Sequence, residues 1–187
     1  MTSPSTPDRI LESALRCIAR QGAAAVALSH VAAEAGVSKA LIHYHFHDRE
    51  TLLTRLVDEV VEQVVRGERA ALADTPPALA IDALWTWLER ELARGDIRVL
   101  IELSLLPQPS IREAARRAAG LRRAAAAQTV DRLFTLLGLS PRVPAALLAE
   151  PVVAFVDGLA FDASLATKRD PRVSFDAFWL GMLSLAE

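Results

Sequence analysis

The chain is poor in cysteine, glycine and net charge, and each scarcity excludes a class of protein. Its 187 residues include one cysteine, eight glycines and one tyrosine, and the formal net charge is −2. The lone Cys17 excludes an internal disulfide, which agrees with a reducing compartment and favours a buried thiol over a redox sensor. The small net charge excludes a surface coated with positive charge. If the protein binds nucleic acid, it must therefore do so through a few specifically positioned side chains.

Long hydrophobic runs are also absent. The longest apolar stretch, residues 144–161, is interrupted by Glu150, Pro151 and Asp157 and does not resemble a membrane span. The first residues, MTSPSTPDR, lack the basic-then-apolar order of a signal peptide. We therefore expect a soluble, cytoplasmic protein that makes no membrane contact.

Helical periodicity runs through almost the whole sequence, and alternating β-branched residues are missing. The fold class we predict is all-α, with about nine helices and no sheet. The first helix is expected to have Thr6 as its N-cap and to end at Gly22, and the clearest break in the chain is DTPP at residues 74–77. The other predicted helices cover 28–35, 39–45, a long stretch capped by Asp48, roughly 78–94, 96–106, 110–138 and 143–167, and a final segment from Pro171.

The second and third helices, joined by Ala-Gly-Val-Ser, predict a helix-turn-helix at about residues 27–46. Gly36 can adopt the positive φ that lets one helix end sharply, and Ser38 can cap the next. Leu41 and Phe46 are expected to point inward.

The polar residues of the third helix are suited to DNA. Lysine, tyrosine and histidine groups near a helix N-terminus can reach phosphate oxygens and base edges, and a small Ala40 allows close approach. The residues that remain outside the predicted core are Lys39, His43, Tyr44 and His45.

Residues 9–60 resemble the DNA-binding domain of the TetR/AcrR family of transcriptional regulators. The resemblance runs through RILESALRCIARQG, VAAEAGVSKALIHYHF and DRETLL. It implies a DNA-binding domain at 7–66 and a helical ligand-binding and dimerisation domain at 67–187. The implied function is that of a ligand-responsive regulator, a repressor released from a palindromic operator by a small hydrophobic or amphipathic effector.

The family's residue roles carry over to matching positions. Lys39 matches a position that reaches phosphate or a base, Tyr44 and His45 match backbone-contacting positions, and Arg49 matches a phosphate contact. The chain departs from the family at His43, usually Tyr, and at 26–27, where Val and Ala replace a Thr or Ser that caps the second helix and binds phosphate. Either Ser29 caps later or that contact is lost. The full set of predicted DNA-binding residues is Ser29, Ser38, Lys39, Ala40, His43, Tyr44, His45 and Arg49.

One recognition helix reads only a few base pairs, so a symmetric homodimer on successive half-sites is expected. Apolar C-terminal helices are predicted to form its interface, and the resemblance implies the same. It also implies an effector pocket among helices 78–138, from which ligand binding moves the fourth helix. The predicted interface residues are Phe161, Phe175, Phe178, Trp179 and Met182, and the predicted ligand contacts are Trp85, Leu88, Glu102, Phe155 and Asp162.

Several of these residues also have structural interpretations. Trp85 and Trp87 face opposite ways, so one is expected in the core and the other on a pocket or interface wall. Glu102, Asp157 and Asp162 are acids within apolar runs, for which a salt bridge or simple exposure is favoured over a ligand or dimer contact. The arginines of 112–123 are interpreted as a solvated helix face rather than as a second anion site.

Two further classes of protein remain as alternatives. The pattern His43-x-His45-x-His47 suggests a metal site. Side chains two residues apart on a helix point about 200° away from each other, however, so His43 and His45 cannot share a metal there. No phosphate loop or hydrolase motif accompanies these histidines, so we expect no metal, no cofactor and no enzyme. The substitutions at 26–27 and at His43 leave open a ligand-binding protein with a weakened DNA head.

Overall fold

The computed structural model describes residues 5–165 and 170–187, and that part of the chain forms nine α-helices without a β-strand. This confirms the all-α prediction, and a 3-10 turn at Pro77–Leu79 precedes the fifth helix. Positions 166–167, predicted as the end of a helix, lie outside the described residues. The helices are α1 (Thr6–Gln21), α2 (Leu28–Ala35), α3 (Lys39–Phe46), α4 (Arg49–Ala71), α5 (Ala80–Arg94), α6 (Asp96–Ser104), α7 (Pro109–Leu137), α8 (Ala145–Ser164) and α9 (Pro171–Leu183).

The cap of α1 is Ser5, so the prediction of Thr6 was wrong by one residue. The Ser5 hydroxyl accepts a hydrogen bond from the amide of Asp8, and the Asp8 carboxylate accepts one from the amide of Ser5. This reciprocal pair needs an acid three residues after the cap, and only Ser5 has one. The helix ends at Gly22 as predicted, with φ 82°.

The interior face of α3 is formed by Ile42 and Phe46, which are both buried. Leu41 is only half-buried, so its assignment as an inward residue was wrong. The reason is helical spacing: residues four apart lie on one face, whereas residues five apart do not. The predicted cap Ser38 is confirmed, because its hydroxyl accepts a hydrogen bond from the Leu41 amide at 3.1 Å.

The described chain divides into two compact units. The first contains the residues up to Glu62 together with Arg98–Ala118, and the second contains Gln63–Ile97 and Ala119–Glu187. The predicted domain boundary between 66 and 67 stays a prediction, but most of α6 and the start of α7 belong to the first unit. Cys17 is buried in the first unit, and this burial raises the pKa of its thiol.

In the described part of the chain, none of the helices combines the length and the apolar character that crossing a bilayer requires.

Candidate DNA interface and ligand cavity

The turn between α2 and α3 is closed by backbone hydrogen bonds. Gly36 adopts a left-handed conformation, φ 64° and ψ 37°, and the Val37 amide donates to the Ala32 carbonyl at 3.0 Å. The Arg9 guanidinium donates to the Ala35 carbonyl at 3.0 Å, which satisfies another carbonyl at the end of α2. These bonds fix where α3 begins, and so fix the direction of its outer face.

The outer face of α3 carries the predicted contact residues. Lys39, Ala40, His43 and Tyr44 are exposed, and the Tyr44 side chain is 76% exposed. His45 is half-buried and packs edge-on against the Tyr44 ring, with ring centroids 5.0 Å apart. An ammonium, a phenol and an imidazole thus occupy the outer face of a helix held from behind by two buried anchors.

One nitrogen of the His43 ring is engaged in a hydrogen bond within α3 and its C-cap. Its Nδ1 donates to the His47 carbonyl at 2.5 Å, so the proton lies on Nδ1 in the neutral ring and Nε2 is left free as an acceptor. His47 ends the helix with a positive φ of 61°. Among the described residues, no three His, Cys, Asp or Glu side chains are grouped so that they could hold a metal ion.

The N-terminus of α2 is held by side chains from other helices rather than by its own cap. Ala27 occupies the N-cap position without a side-chain hydrogen bond, and Ser29 is exposed on the first turn, so Ser29 does not cap as expected. The Arg49 guanidinium instead donates to the carbonyls of Val26 at 2.7 Å and Ala23 at 2.6 Å. The predicted contact between Arg49 and phosphate stays a prediction, but this geometry gives the side chain a positioning role.

Helix α6 supports the end of α1 and the loop between α1 and α2. The Glu102 carboxylate accepts a hydrogen bond from the Ala23 amide at 2.8 Å, and Arg98 donates to the Ala19 carbonyl at the end of α1. Glu102 and Arg98 are also an ion pair at 3.5 Å. We call these contacts of Glu102 and Arg98 with Ala23 and Ala19 the clasp. It was not predicted, because 79 residues separate the partners and the only sign in the sequence was that Glu102 is an acid within an apolar run.

A cavity lies inside the second unit between α4, α5, α7, α8 and α9. Its volume is about 30 Å³, and we call it the aromatic cavity because five of its lining residues are aromatic. Phe155 and Phe178 stack in parallel with centroids 4.1 Å apart. The aromatic lining residues are Trp87, Phe155, Phe175, Phe178 and Trp179.

Only two of the five predicted ligand contacts, Leu88 and Phe155, line this cavity. Trp85 lies outside it against Phe175, under the Arg172 guanidinium, whereas Trp87 lines it, so the assignment of Trp85 as a ligand contact stays a prediction that this cavity does not support. Glu102 does not line the cavity either, because it belongs to the clasp and accepts a hydrogen bond from the Ala23 amide.

Asp162 lies near the end of α8 and is likewise not among the cavity's lining residues. Asp157, for which a salt bridge was favoured, pairs with Arg122 at 2.6 Å.

Two charged residues that line the aromatic cavity, Arg122 and Glu68, were not predicted from the sequence. Arg122 is the one buried member of the 112–123 arginine series within the described residues, and the solvated-face interpretation was wrong for it. The Glu68 side chain of α4 is only 6% exposed. Burial raises the pKa of Glu68 to about 7, against the lowering effects of a hydrogen bond from Thr129 and of the nearby Arg122 charge.

The predicted dimer residues are mostly interior. Phe175, Trp179 and Met182 are buried in the second unit and Phe178 is half-buried, whereas Phe161 is exposed. The outer face of α9 is formed by other apolar residues, among them Leu180 at 74% exposure. The predicted residues lie mostly on the inner face of α9. Both faces of this helix are apolar, so the hydrophobic pattern does not distinguish the inner face from the outer one.

The chain is similar to known bacterial transcriptional regulators. A family model described as bacterial regulatory proteins, tetR family, matches residues 10–56, which run from within α1 to the first turns of α4. The HTH-type transcriptional regulator BetI of Rhizobium meliloti (strain 1021) is 30% identical over 157 residues, covering 83% of this chain and 76% of the relative. A second BetI, from Agrobacterium fabrum, is 36% identical over 63 residues, which are 34% of this chain and 31% of that protein.

Solved structures share the whole fold. A TetR transcription regulator from Haloarcula marismortui superposes with a TM-score of 0.78 at 16% identity, over 97% of this chain and 98% of that chain. Reduced NemR from E. coli gives 0.76 at 14% identity, over 96% and 98%.

These findings define a DNA-binding transcriptional regulator of the helix-turn-helix class. The chain belongs to the TetR family of bacterial regulators, and α2 and α3 are its helix-turn-helix.

Proposed function

We propose that this regulator binds a two-fold symmetric operator as a homodimer and represses transcription until a small amphipathic effector releases it. The observation that carries the DNA-reading part is the outer face of α3. Lys39, His43 and Tyr44 are exposed there, while Ile42 and Phe46 fix the helix from inside. Ser38 and Ala40, both exposed, lie at the N-terminal end that enters the groove in this docking mode.

The dimer is proposed to form through the outer faces of α8 and α9. On α8, Leu147, Ala154, Gly158 and Phe161 recur at helical spacing and are exposed. Val173 and Leu180 form the corresponding exposed face of α9. Two apolar helix faces on each protomer support a four-helix interface across a two-fold axis.

The effector is proposed to enter the aromatic cavity. Its walls are largely apolar, which suits a hydrophobic ligand, and Glu68 and Arg122 supply polar groups. Val64 and Glu68 belong to α4, the helix that begins directly after the helix-turn-helix. A ligand that prefers one position of α4 by ~1–3 kcal/mol changes DNA affinity by roughly 5–150-fold.

Selection of bound fragments from sheared genomic DNA tests the proposal. The expected product is a near-palindrome with half-sites about one helical turn apart, bound with a steep dependence on salt because phosphate contacts release counterions. Recovery of fragments without two-fold symmetry would contradict the dimer. If the regulator is a repressor, a reporter gene placed downstream of the selected site should be more active when the regulator is deleted.

A further inference from the structure

A second cavity opens on the surface of the second unit, between α4 and α7. Its volume is about 230 Å³. We call it the arginine pit, because two exposed arginines, Arg69 and Arg132, stand on its rim. Its floor is buried and consists of Glu68, Leu72 and Thr129.

The arginine pit and the aromatic cavity share a wall. Glu68 and Thr129 line both of them, and the Thr129 hydroxyl is hydrogen-bonded to the Glu68 carboxyl. The floor of the pit is therefore one side of the aromatic cavity. The Glu68 and Thr129 side chains therefore lie between the surface pit and the apolar lining of the aromatic cavity.

The charges around the pit favour an anion. The Arg69 guanidinium donates to the Gln128 side-chain oxygen at 3.1 Å, which holds it at the rim near Arg132. Glu68 is the carboxyl of the floor, and because burial raises its pKa to about 7 it is only about half ionised at neutral pH. The acid behind the wall, Asp157, is paired with Arg122. Arginine forks bind carboxylates and phosphates in preference to neutral groups.

The aromatic cavity offers apolar walls but little free space. A volume of about 30 Å³ holds no more than a water or two, so an apolar chain must push side chains apart to enter. Phe155 and Phe178 are both half-buried rather than locked in the core. A slender flexible chain needs less rearrangement of these walls than a broad ring system.

We propose that the arginine pit and the aromatic cavity together form one binding site for an anionic amphiphile. Its carboxylate head is held by Arg69 and Arg132, and its slender apolar chain passes the Glu68–Thr129 wall into the aromatic cavity. This inference rests on the proposed function, since it takes the aromatic cavity as the effector site and adds the charge and shape of the effector.

Three probes with chains of nine or ten carbons and different head groups test the charge preference. Decanoate, 1-decanol and decyltrimethylammonium are titrated into the full-length protein below their micelle concentrations, and binding is measured by calorimetry. Decanoate is expected to bind at least tenfold more tightly than either of the others. Equal affinity of decanol, tighter binding of the cation, or no binding of decanoate would overturn the inference.

The rim is tested by paired variants. Arg69→Ala/Arg132→Ala is expected to weaken decanoate binding about tenfold and to leave decanol binding unchanged, because only the charged contact is lost. Arg90→Ala/Arg142→Ala removes two arginines of the same unit that line neither cavity and is the matched control. Decanoate binding that is equal in the two double variants would overturn the role of the pit.

The path of the chain is tested with decanoate brominated at its tail. The three tryptophans of the sequence, Trp85, Trp87 and Trp179, lie in the second unit, and two of them line the aromatic cavity. A tail in that cavity is expected to quench tryptophan fluorescence, and binding without quenching would overturn the threaded arrangement. If decanoate binds and quenches but leaves the affinity for a selected operator unchanged, the site stands and the effector role fails.

Discussion

The most unusual residue of the second unit is Glu68, a carboxyl buried between an aromatic cavity and a surface pit. Its pKa is raised to about 7 by burial, whereas an unfolded glutamate titrates near 4.5. The folded protein therefore binds a proton that the unfolded chain has lost between these pH values. The stability due to this group is fully present below about pH 4.5 and is lost as the pH rises through 7.

Replacing Glu68 with Gln removes this titration while keeping the shape of the side chain. The wild type is expected to lose up to about 3 kcal/mol of unfolding free energy from this group between pH 4.5 and 8, and Glu68→Gln should not. Thermal unfolding at pH 5 and pH 8 measures it, with exposed Glu89→Gln as the control. A stability difference between Glu68→Gln and wild type that is the same at both pH values would show that Glu68 titrates normally.

Arg49 and Lys39 are expected to support DNA binding in different ways. The Arg49 guanidinium holds the carbonyls of Ala23 and Val26, whereas Lys39 is exposed at the start of α3. Lys39→Ala should lower the slope of log affinity against log salt by roughly 1.8, because each of the two protomers loses one phosphate contact worth about 0.9. Arg49→Ala should weaken binding with an unchanged slope, because it disturbs the loop before α2. An equal fall in slope for both variants would mean that Arg49 contacts phosphate.

Among the elements, those built from local signals were predicted best. The turn between α2 and α3 depends on Gly36 and Ser38, which act on their own neighbours, and both roles were confirmed. The clasp of Glu102 on Ala23 joins residues far apart in sequence, so no local pattern marks the partner. The face of α9 that turns inward was also unpredictable, because both faces are apolar and only packing against α8 decides between them.

The outer faces of α8 and α9 make a specific prediction about assembly. Leu180→Glu should weaken the dimer by on the order of 100-fold, because it would place an unpaired carboxylate in an apolar interface. Leu79→Glu, at another exposed leucine of the same unit, is the matched control. Sedimentation velocity over a range of protein concentrations measures the change. Identical dimerisation of both variants would show that the interface lies elsewhere.

At the scale of the whole molecule, the chain combines a head predictable from sequence with a second unit whose chemistry is not. The head resembles its family in a run of residues that includes the turn and the recognition helix, and residues 10–56 match the family model. The cavity depends on the packing of five helices, and its buried Glu68 and Arg122 come from segments that look like ordinary solvated helix in sequence. Family membership therefore identifies DNA as a partner, whereas the proposed effector has to be inferred from the cavity.

The affinity of a Lys39→Ala/Tyr44→Phe double variant for the selected operator tests the central claim most directly. Both changes lie on the exposed face of α3, away from the buried anchors, so the dimer and the thermal stability should be unchanged. If α3 lies in the major groove, binding should weaken by on the order of 100-fold through lost contacts to phosphate and bases. Wild-type affinity in a folded, dimeric double variant would contradict the assignment of α3 as the recognition helix.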